Sequence, residues 1–400
     1  MQITILCKVV DNFGDIGVVY RLAKQLKKIN SENQINLIVD DLASFNKICS
    51  DVQCGLSSQT VEGLQIFDWN ASDFCHEAFS AGDGEKMPVI LECFQCGRPE
   101  WMECILFEEK LKRTVQIIMI DYLTAEKYAE DFHCLQSLTR SAKVQKVNFM
   151  PGFTEKTGGL VIDEAWCEVP ERKKDGPVLV FTYERDWTEL VRGIIKGGFD
   201  PFDRLRDRNH QRVLVAQGRG KESFMAACRE SGALDFVEEL PYLNQTEWDE
   251  MMKGCSALVI RGEESMSRAC LSGIPFIWHA YPQSDEYQLV KVKALLERMK
   301  RHFNEEDFEI VSNAWLDINN SMSLSGLTGQ SAQHCEVQIP GSSPRMTEKS
   351  SPTMTHNPYQ EFFAITDRLA PSFYDFASSL RKNGDLAANL MTYIEKLAII

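Results

Sequence analysis

No stretch of the 400-residue sequence approaches the ~18 consecutive apolar residues of a membrane-spanning helix, so none is expected. Met1-Gln2 runs straight into an apolar strand without a basic-then-apolar pattern, so a secretory leader is not expected. Positive charge is scarce. Against 58 Asp and Glu stand 43 Lys and Arg, a formal charge of −15, which argues against nucleic-acid binding and would tolerate a cationic group on the substrate. Surplus acid also serves simply as a solubilising surface. The dinucleotide fingerprint G-x-G-x-x-G is absent. The 13 cysteines have no framework spacing, and Cys7, Cys228, Cys255 and Cys270 fall at core-type positions. Reduced thiols and a cytoplasmic location are expected. Cys93-Phe94-Gln95-Cys96 is a solitary C-x-x-C; no second pair and no H-x-x-x-H follows, so neither a metal nor a redox role is expected of it.

What is present is alternation. Hydrophobic residues make up 44% of the chain and charged residues 25%, enough for two domains that each bury a core. The chain opens with an apolar strand, Ile3 to Cys7, then the loop Val9-Val10-Asp11-Asn12-Phe13-Gly14-Asp15-Ile16-Gly17, then a helical pattern through Val18, Val19, Leu22 and Leu26. In an open α/β sheet such a loop lies at the carboxyl end of its strand, where ligands bind. Gly14 and Gly17 let backbone approach a ligand, and the helix start offers free N–H groups. Asp11 and Asp15 could equally be caps of the turn and helix. Further strands, Gln34 to Val39, Leu64 to Trp69, Pro88 to Leu91 and Val115 to Ile120, imply a parallel, doubly wound sheet. Carboxylates recur just after strands (Asp11, Asp40, Glu92, Asp121) and are expected along one edge, facing a common cleft.

From Pro151 to Pro177 glycine, proline and clustered charge mark a linker. A second series follows, with strands Val178 to Thr182, Arg212 to Ala216, Phe236 to Leu240, Ala257 to Ile260 and Pro275 to Trp278, and helices between them. Two doubly wound, Rossmann-like domains facing across a cleft, 1–155 and 176–371, are the GT-B architecture. Residues 319–357, rich in Ser, Thr, Gly, Pro, Met and Gln, read as a mostly disordered insertion. A closing helix, about 372–400, is expected to pack back on the first domain. In the second half, Ala257 to Ser265 is a strand, a glycine turn and a helix start. Its N–H groups, with Ser265 and the guanidinium of Arg261, suit a diphosphate, though Glu263 and Glu264 are also ordinary first-turn acids.

Asp11-Asn12-Phe13-Gly14-Asp15-Ile16-Gly17-Val18 resembles the opening signature of the elongation factor P arginine rhamnosyltransferases. Further blocks are similar in the same order: Val39 to Phe45, Tyr122 to Glu126, Pro151 to Leu160, Arg261-Gly262-Glu263-Glu264-Ser265 with Arg268-Ala269, and Trp278-His279-Ala280-Tyr281-Pro282-Gln283. The resemblance implies an inverting, metal-independent GT-B enzyme that moves L-rhamnose from dTDP-β-L-rhamnose to an arginine of elongation factor P, with no cofactor beyond that donor. It implies Asp15 as general base, Asp11 as its companion and Glu263 as a third catalytic acid. It places the substrate at Asn12, Phe13, Gly14, Gly262 and Glu264, the last at a position that touches ribose or phosphate, and the diphosphate at Arg261 and Ser265. Phe181 and Tyr183 fall beside the nucleotide sugar, Tyr242 near the thymine, and Gln245 at a base-reading position.

This sequence departs from the family pattern in places. Glu264 stands for Asp, Met266-Ser267 for Phe-Val, Gln288 for His, and Asp121 for Glu. Asn244 stands for Pro, which is expected to loosen the Tyr242 loop. The substitutions around Glu264 to Ser267 keep open a second reading, a protein on the same scaffold that binds elongation factor P without transferring sugar. A third, another nucleotide-sugar GT-B enzyme, gives no reason for the Asp11/Asp15 pair.

Overall fold

Every residue of the first strand from Ile3 to Cys7 is buried, which requires cover on both faces of its sheet. The computed structural model describes residues 1–10, 14–80, 86–108, 111–198, 212–320 and 356–398. Its first sheet has strands β1 (Gln2–Cys7), β2 (Gln34–Val39), β3 (Ser58–Val61), β4 (Leu64–Asp68), β5 (Val89–Cys93), β6 (Val115–Ile120), β7 (Gln136–Ser137) and β8 (Val144–Phe149). The helices between them are α1 (Gly14–Ile29), α2 (Leu42–Ile48), α3 (Ser72–Ser80), α4 (Glu100–Phe107) and α5 (Tyr128–Phe132). Ile3, Ile5, Ile35 and Leu37 face one core, while Leu6, Ile38 and Ile90 join Phe79 and Trp101 in another. The order is β3-β4-β2-β1-β5-β6-β8-β7. Its interior is parallel, but β3 and β7 run antiparallel at the two edges, so the sheet is mixed rather than wholly parallel. Both edge strands are short and carry few apolar residues, which leaves no period for the sequence to display.

The second sheet, β9 (Val178–Val180), β10 (Val213–Val215), β11 (Val237–Glu239), β12 (Ala257–Arg261) and β13 (Phe276–His279), is parallel in the order β11-β10-β9-β12-β13. Helices α6 (Thr188–Gly198), α7 (Lys221–Glu230), α8 (Gln245–Lys253), α9 (Glu263–Ser272), α10 (Tyr287–Met299) and α11 (Glu305–Asn319) surround it. The chain closes with α12 (Pro358–Ala364), α13 (Thr366–Arg381) and α14 (Leu386–Ala398). The two sheets make a GT-B fold. In each, connections leave in opposite directions from a central pair, β1/β5 in the first and β9/β12 in the second. Ligands gather at such switch points, beyond the carboxyl ends of the strands. The loops after β1, β9 and β12 are therefore the ones that topology brings to the crevice.

Two expectations about organisation need correction and one needs refinement. The glycine- and charge-rich linker after Phe149 is packed between the two cores: Leu160, Val161 and Trp166 are buried, the last completely. Its glycines answer close contacts, since a Cβ on Gly159 would lie 2.6 Å from the carbonyl oxygen of Gly384. The return to the first domain starts later than residue 372. Phe373 and Phe376 of α13 belong to the second domain's core, and only α14 packs on α1, after a turn at Gly384 with φ of +82°. Pro371 lies inside α13 and does not end it. Finally, Asn319 is not insertion. It is buried at the end of α11, donating to the carbonyls of Trp278 and Trp315 and accepting from Ala280 N–H. Residues 321–355 of the expected insertion lie outside the described residues. None of the helices among the described residues is long and apolar enough to cross a membrane, and the described cysteines are all free thiols.

Candidate active site

The loop after β1 delivers Asp15 in the first turn of α1, where the helix dipole favours an acid. Its carboxylate is buried, and Oδ2 accepts from Val10 N–H at 2.8 Å, which closes the loop on itself. The capping reading is thus part of the truth, yet Asp15 also lines a cavity of about 340 Å³ between the domains. Asp11, Asn12 and Phe13 lie outside the described residues.

Of the other strand-end carboxylates, Asp121 reaches this cavity and Asp40 and Glu92 do not. Asp40 holds Val9 N–H at 2.8 Å. Glu92 is inside β5, buried, and paired with Arg98 and, at 3.7 Å, with Lys146. Its position one residue before the strand end puts it among structural ion pairs. Asp121 receives Gln95 Nε2 at 3.3 Å and its neighbour Tyr122 N–H at 2.8 Å. The rings of Phe94 and Tyr122 stack 4.7 Å apart beside it. Phe94 and Gln95 both take left-handed φ, +56° and +54°, so the C-x-x-C segment is a tight turn that presents Phe94. Burial pushes the Cys96 thiol up to about 12 and also holds the Cys93 thiol well above its ordinary value.

From the second domain, β12 ends at Arg261, Gly262 turns at φ of +71°, and α9 begins at Glu263. Gly262, Glu263 and Glu264 line the same cavity as Asp15. They also line a second chamber of about 160 Å³, with Phe181, Tyr242, Gln245, Trp248, Arg261 and Ser265. Tyr183 and Gly14 border both. The guanidinium of Arg261 lies 4.5 Å from the ring centroids of both Phe181 and Tyr183, a cation–π contact with two rings. Tyr242 is 59% exposed, its ring 5.9 Å from Lys47 Nζ of the first domain. Gln245 Nε2 donates to Gly17 O at 2.9 Å across the domains, while its buried Oε1 has no hydrogen-bond partner among the described residues. The Tyr242 loop is not loosened by Asn244. That residue caps α8 in a capping box with Glu247, an anchor that proline could not provide.

Electrostatics distinguish the two neighbouring glutamates. Burial raises Glu263 above the usual carboxylate range; Lys291 Nζ at 3.1 Å opposes this, and Asp15 and Asp121 add to it. Burial would raise Glu264 as well, but Arg21 and Arg268 bring it below its ordinary value. Arg21 of α1 donates from Nε to Glu264 at 2.7 Å, from Nη1 to Asp249 at 2.8 Å, and to Asp163. Glu264 therefore lies in the cleft wall as expected, but one of its oxygens is taken by the other domain. Gln288 accepts from Gln283 N–H at 3.1 Å and holds that wall in place. His279, pushed down to about 3 by burial, accepts from Tyr183 N–H through Nδ1.

Sequence reasoning missed Arg21, Lys291, Trp248 and the Phe94–Tyr122 stack. Trp248 meets Phe181 edge-on at 5.2 Å. The lone C-x-x-C was the available signal for Phe94, through its odd placement straight after a strand. Among the described residues no group of three or more His, Cys, Asp or Glu is arranged to hold a metal ion.

Comparison with known proteins gives a consistent answer. Protein-arginine rhamnosyltransferase of Shewanella oneidensis is 29% identical over 357 residues, covering 80% of this chain and 85% of the relative. Its namesake in Pseudomonas aeruginosa is also 29% identical, over 355 residues, covering 80% and 88%. A chain from the structural study of EarP-mediated arginine glycosylation of translation elongation factor EF-P shares the fold across 99% of both chains, with 17% identity and a TM-score of 0.54. The family model described as Elongation-Factor P (EF-P) rhamnosyltransferase EarP matches residues 3–395, and the chain belongs to that family.

Proposed function

We propose that this chain transfers L-rhamnose from dTDP-β-L-rhamnose to one arginine of translation elongation factor P, with inversion at the anomeric carbon. The observation that carries the reading is that Asp15 from one domain and the Gly262–Glu263 helix start from the other line a single cavity. An acceptor presented to the first domain can there meet a donor held by the second. The family and the named relatives supply the class of sugar and acceptor.

In this reading the thymine lies among Phe181, Tyr242 and Trp248, with the bare Oε1 of Gln245 accepting from the base. Ring stacking of this kind contributes roughly 1–3 kcal/mol per contact. Arg261, Ser265 and the N–H groups of α9 receive the diphosphate, so departure of the nucleotide calls on no metal or other cofactor.

The acceptor poses the harder problem. An arginine guanidinium has a pKa above about 12 and its lone pairs are delocalised, so one carboxylate cannot deprotonate it in the ground state. Asp15, with Asp11 as its companion, instead orients the group and polarises one N–H. That nitrogen attacks the anomeric carbon opposite the diphosphate. The C–O bond breaks as the C–N bond forms, the proton passes to Asp15, and the electron pair leaves on phosphate. Glu263, raised by burial and held by Lys291 at 3.1 Å, stands across the cavity from Asp15 on the path of the cationic acceptor. Attack from the opposite face gives an α-linked product. The reaction is assigned to the cytoplasm, in keeping with the free thiols.

The test incubates purified chain with dTDP-β-L-rhamnose and elongation factor P. Mass spectrometry should find one deoxyhexose on one arginine, and NMR of the modified peptide an α linkage. No addition, or equal transfer from unrelated sugar nucleotides, rejects the proposal.

A further inference from the structure

Beyond β10 the chain passes through Gln217-Gly218-Arg219-Gly220-Lys221, with glycine on both sides of one arginine. Both glycines are pressed against the site. A Cβ on Gly220 would lie 2.4 Å from Thr182 O and 2.6 Å from Tyr183 O. One on Gly218 would meet Arg261 Nη2 and the Phe181 ring, each at 3.1 Å. This backbone is therefore fixed beside Arg261, and the residue between the glycines lines the larger cavity together with Tyr183, Gly262 and Glu263. Arg219 itself is exposed and makes no hydrogen bond or ion pair to any described residue. Other arginines of the cleft are engaged: Arg21 by three carboxylates, Arg268 by Val161 O, and Arg261 by its two rings.

Charge balance gives Arg219 a task. Asp15, Asp121, Glu263 and Glu264 surround the mouth of α9. A diphosphate entering there is repelled by these acids and meets Arg261, whose guanidinium is in contact with two rings. We propose that Arg219 is a second cationic ligand of the donor's diphosphate, closing over the β-phosphate from the cavity side. A guanidinium can take two phosphate oxygens at once, and its stabilisation grows as the glycosidic C–O bond breaks and its electron pair moves onto that phosphate. The inference rests on the nucleotide-sugar reading above.

Calorimetric titration of the full chain with dTDP and with thymidine tests it. Arg219→Met should weaken dTDP binding at least about tenfold and leave thymidine binding unchanged, with Arg219→Lys recovering part of the loss. Thermal unfolding should not move, because the side chain is exposed. In turnover, kcat should fall while the KM for elongation factor P holds. Equal dTDP affinity in wild type and Arg219→Met overturns the assignment, as does a rise confined to the KM for elongation factor P. A wild-type chain that binds neither ligand overturns the donor reading itself, and this assignment with it.

Discussion

Replacing Arg21 by leucine removes one cation from three carboxylates, Asp163, Asp249 and Glu264, contributed by three segments that follow the first sheet in the chain. Side-chain exposure is 4% for Arg21 and for Asp249, 17% for Glu264 and 21% for Asp163, so the charges left behind have little access to water. Breaking a buried pair from one side costs about 3–5 kcal/mol, and at roughly 2–4 °C per kcal/mol for domains of this size the melting temperature should drop by about 6–20 °C. The sign of the pH dependence separates this cause from lost packing. In the wild type, Asp163 and Glu264 are held below their ordinary values, so their contribution is present at neutral pH and is lost as pH falls through and below about 4.5. In the variant the burial that raises both groups acts without Arg21 to oppose it, and protonation then relieves the strain. The gap between the two proteins should be widest near pH 7 and narrow towards pH 4. Circular dichroism melts across that range measure it, with Arg21→Lys expected between the two. A gap below about 1 kcal/mol, or one that stays constant with pH, would refute the electrostatic argument.

Lys291→Met should raise Glu263 further, so that it is protonated at a pH where the wild-type residue is ionised. The acidic limb of the kcat profile should then move to higher pH, and rate measurements between about pH 5 and 8 would show whether it does. Phe181→Ala removes one ring from the Arg261 guanidinium and one stacking face, and fluorescence titration should give a dTDP Kd roughly 5- to 150-fold higher. Asn244→Ala deletes the capping box of α8, and chemical denaturation should record a loss of about 1 kcal/mol.

The parts of this molecule that carry regular periods were legible in its sequence. The strand–loop–helix units around Asp15 and around Gly262 could be placed because a buried parallel strand reads as an unbroken apolar run, and glycine and acid mark the turn beyond it. Asp15 and Glu263 were set in one crevice by the family resemblance, whereas position after a strand alone put Asp40 and Glu92 there as well. Polar edge strands such as Gln136–Ser137 carry no such period and went unseen. Arg21 was hidden for another reason. On a helix it reads as one more solvated base, and its partners lie 142, 228 and 243 residues away in the chain. Asp40 and Glu92 misled because position after a strand does not reveal which neighbours have already claimed the carboxylate. Lys291 comes soon after a block whose resemblance was plain, yet nothing in one sequence says that a lysine on α10 reaches the start of α9.

The account as a whole depends on Asp15 accepting the acceptor's proton in a cleft whose donor half works without it. Single-turnover transfer to elongation factor P, measured beside dTDP affinity for wild type and Asp15→Asn, tests this most directly. Transfer should be abolished while the Kd for dTDP stays within about twofold, because the substitution removes only the proton acceptor. Transfer by Asp15→Asn at the wild-type rate would contradict the account.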